Sequence, residues 1–233
     1  MPTTSTEEAV KKVLDFVNAH ADEYSERELD YLRTNAAWGI ICEEPFRVYD
    51  ILRQIYGEFD LIPEHQDMHQ AFIKILEENF DINRDIIEVA GGIVPDLGKK
   101  LAARQKTGTL TVYDPRLITS IKTPENMVLK KEHFGKKTPL GDAKMLIAFM
   151  PCDLAPTLID IACKNDLDFM IALCEGGART GYEWIEEDDE WIGYMTYSAS
   201  RGIEKSKMGT LQTASLEKFG SPYPIIYNKR KKS

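Results

Sequence analysis

A chain of 233 residues with 43% apolar residues has room for one large domain, or one domain with an added subdomain, around a sizeable core. Its formal charge of −9 argues against broad, sequence-independent coating of DNA, whose phosphates an acidic surface repels. Four scattered cysteines without a C-x-x-C pair fit neither a zinc knot nor a disulfide framework. With no apolar run near 18 residues and no signal-peptide pattern at Met1–Glu8, they point to a cytoplasmic protein that makes no membrane contact.

Residues 1–82 read as a helical N-terminal cap. Thr6 is an N-cap candidate ahead of Glu7 and Glu8, and Val10, Val13, Leu14 and Val17 make an apolar stripe at helical spacing. Ser25 and Glu28 form a capping-box pattern before Leu29 and Leu32, and Pro45 suits a first helical turn ahead of Val48, Ile51, Leu52 and Ile55. A fourth stripe follows Pro63, at Met68, Phe72, Ile73, Leu76 and Phe80. His65 and His69 are four apart, but Gln66 stands where a zincin motif needs Glu. The pair reads as an exposed helix face, and no metal site is expected.

Residues 83–233 read as an α/β, Rossmann-like domain. Strand-like runs recur at 86–90, 109–113, 126–130, 144–149 and 168–174, with helical patterns at 95–105 and 154–165. This alternation predicts a mostly parallel sheet with helices on both faces. Pro95 suits the N1 position of the first of these helices. The acids between Glu183 and Glu190 read as a solvated face anchored by Trp184 and Trp191. Runs at 208–216 and 222–227, joined across a Gly-containing turn, predict a terminal antiparallel hairpin, and the basic tail Lys229–Lys232 reads as a frayed end.

The densest signal is Glu88-Val89-Ala90-Gly91-Gly92 at the end of the first run, answered by Asp114 at the end of the second. Strand, small-residue turn, helix, strand and acid make the layout of a nucleotide-binding βαβ unit. The turn lets backbone N–H groups approach a ligand, and a carboxylate after the second strand makes strong bonds with vicinal hydroxyls. A dinucleotide fingerprint needs three glycines where Ala90, Gly92 and Pro95 stand, which disfavours a nicotinamide-dependent oxidoreductase.

Over about residues 85–228 the chain resembles the class I S-adenosylmethionine-dependent methyltransferases. Their first motif, acid-x-Gly-x-Gly, is matched by Glu88–Gly92 with Ala90 in the first glycine slot, and their ribose-binding acid by Asp114. Met150-Pro151-Cys152-Asp153-Leu154 occupies the place of their fourth motif. The resemblance implies S-adenosylmethionine as cofactor, held by Glu88, Ala90, Gly91, Gly92 and Asp114. Pro151, Cys152 and Asp153 then face a methyl acceptor, either a small molecule or RNA. Cys152 reads either as a nucleophile or as a small buried hydrophobe. Asp153 reads as a substrate-positioning or proton-accepting group, or as the N-cap of a helix beginning near Leu154. Ala90 and the lack of an Asn-Pro-Pro-Tyr motif leave a second reading, a catalytically inactive methyltransferase-like binding or regulatory protein.

Overall fold

The computed structural model describes residues 6–19, 21–23, 68–92, 95–117, 119, 123–174, 181–182, 184–185, 187–216 and 224–230. The capping and first-turn expectations at Ser25, Glu28 and Pro45, and His65, lie outside these residues.

The first described helix, α1, spans Thr6–Ala19, where the stripe places it, and a 3₁₀ turn at Ala21–Glu23 follows. Helix α2 spans Met68–Asn79 and buries Ala71, Phe72, Ile73 and Leu76. Then come β1 (Ile86–Val89), α3 (Asp96–Ala102), β2 (Leu110–Tyr113), β3 (Met127–Lys130) and β4 (Met145–Phe149). A 3₁₀ turn at Cys152–Leu154 leads into α4 (Ala155–Lys164), followed by β5 (Asp168–Ala172), α5 (Asp188–Ser206), β6 (Thr210–Ser215) and β7 (Pro224–Lys229). Helix α3 starts at Asp96 with Pro95 in the N-cap position, one place earlier than N1. Among the described residues no helix is long and apolar enough to cross a membrane.

The seven strands form one sheet in the order β3-β2-β1-β4-β5-β7-β6. The first five are parallel, and β7 runs antiparallel to both β5 and β6. This is the mostly parallel sheet with a terminal antiparallel pair that the sequence predicts. Each buried strand alternates its side chains between two cores. Ile87, Val89, Leu146, Ala148, Phe169 and Ile171 face α4 and α5, where Leu158, Ala162, Trp191 and Met195 meet them. Ile86, Leu110, Val112, Met145 and Ile147 face the opposite layer, where Phe72 and Leu76 of α2 and Leu97 and Leu101 of α3 complete the packing.

Helix α5 has no counterpart among the expected elements. Trp191, Met195, Ala199 and Ile203 recur every four residues and are all buried, giving it an apolar edge one residue wide. Asp188, Asp189 and Glu190 form its first turn, where the positive end of the helix dipole favours acids. Trp191 is an anchor as expected, but Trp184 is not: it is 68% exposed, with its ring edge-on to Tyr194 at 5.6 Å.

The basic tail also departs from expectation. Lys229 is the last residue of β7, and Arg230 is held rather than frayed: its Nε lies 2.7 Å from Asp168 Oδ1, and an NH2 donates to the Asp166 carbonyl at 2.7 Å. Asp168 also accepts from Arg84 at 2.7 Å and from Asn228 at 3.0 Å, while Asn228 accepts the Phe169 N–H at 2.7 Å. Burial alone would raise the Asp168 carboxyl, but the bonds from Arg230, Asn228 and Arg84 outweigh it and hold the group below its ordinary range. Asp168→Ala leaves two guanidinium groups and an amide without their acceptor, and urea unfolding should show a loss of about 2–4 kcal/mol. A loss under ~0.5 kcal/mol would mean that apolar contacts alone seat β7.

Candidate functional site

The parallel strands start flush: Ile86 pairs with Leu110 on one side and Met145 on the other, and Met145 pairs with Asp168. Their carboxyl ends are therefore level, and the residues that follow them line one edge of the sheet. Two backbone bonds continue the ladder past the strand ends, from Ala90 N–H to the Tyr113 carbonyl and from Met150 N–H to the Ala172 carbonyl, both 2.9 Å.

On this edge the turn after β1 and the acid after β2 meet directly. Gly92 N–H donates to Asp114 Oδ2 at 3.0 Å. Asp114 is buried, and its Oδ1 accepts the Arg116 N–H at 2.8 Å. The Arg116 guanidinium adds longer contacts at 3.3 and 3.4 Å. Its side chain is 48% exposed, so this ion pair is a weak one. Gly91 is required by close approach, because a Cβ there would collide with Val112.

Ala90 stands in the left-handed region at φ 62°, the conformation that the glycine of the motif adopts without cost. An alanine there costs roughly 1–2 kcal/mol. Met150 and Cys152, beyond the neighbouring strand β4, are also left-handed, at φ 53° and 49°. Three strained non-glycine residues thus cluster on the carboxyl edge of two central strands, a distribution typical of sites where geometry serves a ligand.

Glu88 sits one layer down. It lies on the α3 face of β1, where Gly98 makes room for it: a Cβ on Gly98 would collide with Glu88 Oε2. That oxygen is buried without a hydrogen-bond partner. Burial, with smaller contributions from the charges of Asp96 and Asp114, pushes the carboxyl up to about 8, so at neutral pH it is protonated. Glu88 thus lies against both Gly98 and the Gly91 turn.

Beside it, Asp96 at the start of α3 accepts from His69 Nδ1 and Lys100 Nζ, each at 2.8 Å. Burial opposes ionisation of Asp96, yet these two bonds hold its carboxyl below the ordinary range. An ionised carboxylate only accepts, so Nδ1 carries the proton. The His69 ring rests edge-on against Phe149 at 4.9 Å, which corrects the exposed-face reading: α2 turns this histidine inward onto the end of β4. Among the described residues no group of three or more His, Cys, Asp or Glu is placed to hold a metal ion.

After β4, Pro151 is buried while Cys152 and Asp153 are partly exposed. Asp153 is not a helix cap: Leu154 precedes α4, and no side chain makes the capping bond. The positive charge of Arg116, held on Asp114, also acts on Cys152. Sequence reasoning misjudged His69 and passed over Arg116. The position of Arg116, two residues after the acid, was the only available signal.

No protein-family model matches the chain, and no curated protein matches it. Among solved structures, a magnesium protoporphyrin IX methyltransferase from Synechocystis PCC 6803 with bound SAM is similar, with a TM-score of 0.51 at 11% identity over 78% of this chain and 91% of that one. A fibrillarin pre-rRNA processing protein from Methanococcus jannaschii scores 0.48 at 13% identity, covering 73% and 77%. The 23S rRNA methyltransferase ErmE scores 0.47 at 14%, covering 72% and 70%. The first of these likenesses shows the fold: the chain has the class I methyltransferase architecture.

The Glu88 environment fixes a pH response. Its raised carboxyl contributes stability that is complete below pH 4.5 and lost as pH rises through about 8. Glu88→Gln should flatten this decline in thermal-melt series, and at pH 8 it should exceed the parent by roughly 1–3 kcal/mol. A variant that still declines in parallel with the parent places the proton on another group.

Proposed function

We propose that this chain is a methyltransferase that binds S-adenosylmethionine at the carboxyl ends of β1 and β2 and methylates a small molecule or an RNA. The observation that carries the reading is the bond between Gly92 N–H and Asp114, which joins the glycine turn and the acid at the edge where such sheets bind ligands. The fold likeness to a methyltransferase with bound SAM supports it.

The residues present fit this cofactor. The left-handed φ of Ala90 keeps the turn in the shape that glycine gives it, so the amino-acid end of the ligand lies against the end of β1, while the Ala90 and Gly92 N–H groups hold the turn to Tyr113 and Asp114. A carboxylate accepts about four hydrogen bonds. At Asp114 the contacts from the Arg116 guanidinium are the long ones, and the ribose hydroxyls replace them when that half-exposed side chain swings away. Protonated Glu88 packs beneath the turn and puts no charge of its own under the ligand. When bound, the cofactor supplies an electrophilic methyl group on a sulfonium. Pro151, Cys152 and Asp153 face the acceptor. Asp153, having no capping bond to make, positions the acceptor or takes its proton. The net charge of −9 favours a small or short acceptor over long nucleic acid.

The pairing of Asp114 with Arg116 also favours a second reading, in which the fold binds its ligand without transferring a methyl group. Calorimetric titration with S-adenosylmethionine should give saturable binding, and no heat at high micromolar concentration would sink the enzyme reading. Release of S-adenosylhomocysteine with an added acceptor separates the first from the second. Asp114→Ala should weaken binding by roughly 1.5–3 kcal/mol, the value of a lost charged hydrogen bond. Arg116→Ala should tighten it by up to about fivefold, since only a weak surface pair competes with the ribose. A loss of affinity in Arg116→Ala as large as that in Asp114→Ala would show the arginine to be a ligand-binding group.

A further inference from the structure

The carboxyl edge carries a pair of thiols whose second member, Cys174, has no part in the methyltransferase reading. Cys152 and Cys174 lie just past the ends of the adjacent parallel strands β4 and β5, whose last paired residues are Phe149 and Ala172. Met150 N–H donates to the Ala172 carbonyl at 2.9 Å, so the two turns leave the sheet side by side, each cysteine two or three residues past its strand. Both residues are partly exposed, whereas Cys163, on α4, is buried. The left-handed backbone at Met150 and Cys152 holds this turn, and Cys152 Sγ also reaches the Met150 carbonyl at 3.6 Å.

The chemistry of the two exposed thiols is unequal. The bond from Cys174 is the largest influence on Cys152 and lowers it from 9.0 to about 7; burial and Asp153 oppose, and the positive charge of Arg116 assists. A thiol in that range is substantially thiolate at neutral pH, the form that reacts. Cys163 is shifted the opposite way, chiefly by burial.

We propose that Cys152 and Cys174 form a reversible thiol–disulfide site, with Cys152 as the attacking thiolate and a small hydroperoxide as the oxidant. The Cys152 sulfur attacks the peroxide, the O–O bond breaks, and the departing oxygen leaves as hydroxide or alkoxide and is protonated. Cys152 is then a sulfenic acid. The Cys174 sulfur attacks the Cys152 sulfur, the S–O bond breaks, and water leaves with the Cys174 proton. Two electrons pass from the thiol pair to the peroxide, and a small-molecule dithiol reverses the bond by exchange. The site does not depend on which ligand the edge holds.

The full chain, treated with hydrogen peroxide, alkylated and digested without reduction, tests this by peptide mass spectrometry. The expected product is a Cys152–Cys174 linked peptide pair that dithiothreitol separates, with Cys163 still in its thiol form. Cys152 accumulating as sulfinic acid while Cys174 remains alkylatable, or a disulfide to Cys42 instead, overturns the assignment. In Cys174→Ala, iodoacetamide labelling of Cys152 at pH 7 should slow about tenfold or more as its thiolate fraction falls. An unchanged labelling rate in a variant with the parent's circular dichroism also overturns it.

Discussion

The sheet depends on one buried carboxylate. Asp168 opens β5 and gathers Arg84 from before β1, Asn228 from within β7 and Arg230 just beyond it. Those donors come from two stretches far apart in the chain, so the carboxylate fixes where the last strand must lie. Parallel strands β1 to β5 build outward from the middle, but β7 enters in reverse and pairs β5 on one side and β6 on the other. Without it β5 would present an open edge, and the apolar side chains of Ile225 and Ile226 would lose the cores they fill. A charge in this place contributes less by attraction than by penalty: any register that separates Asp168 from its donors leaves a buried ion unpaired.

At the opposite end of the strands the constraints are backbone ones. Flush register levels the carboxyl ends, and backbone bonds past the strand ends tie each turn to its neighbour. The price is strain at Ala90, Met150 and Cys152, held by the layers beneath. Glu88 is part of that support. Its carboxyl fits only because Gly98 lacks a side chain, and it stays neutral chiefly because it is buried, with Asp96 and Asp114 adding to the effect. The same edge then holds a charged pair, Asp114 with Arg116, and a thiol pair, Cys152 with Cys174, with the arginine's charge felt by both.

Much of this was legible in the chain itself. The Glu88–Gly92 turn and Asp114 were visible because a strand end, small residues and a second strand end in fixed order leave few structural alternatives. The five parallel strands showed as short apolar runs, each within a residue or two of its observed bounds. Helix α5 was not visible, since its buried edge is one residue wide and interrupted by Gly, Ser and Tyr, so no broad apolar stripe marks it. His69 and Arg230 were misjudged for a shared reason: both look solvent-bound from local composition, and each is captured by an aspartate remote in sequence, Asp96 and Asp168.

By itself the sequence determined the alternation of strands and helices, the glycine turn, the acid after the second strand and the reversed pair at the end, because each is a local pattern with a local physical cause. Tertiary structure alone decided which charges are paired and which are silent. It buried Glu88 and kept it protonated, closed Arg116 over Asp114, turned His69 inward and brought Cys174 against Cys152. Protonation and pairing depend on burial and on neighbours from distant parts of the chain, and neither is encoded within any single stretch of residues.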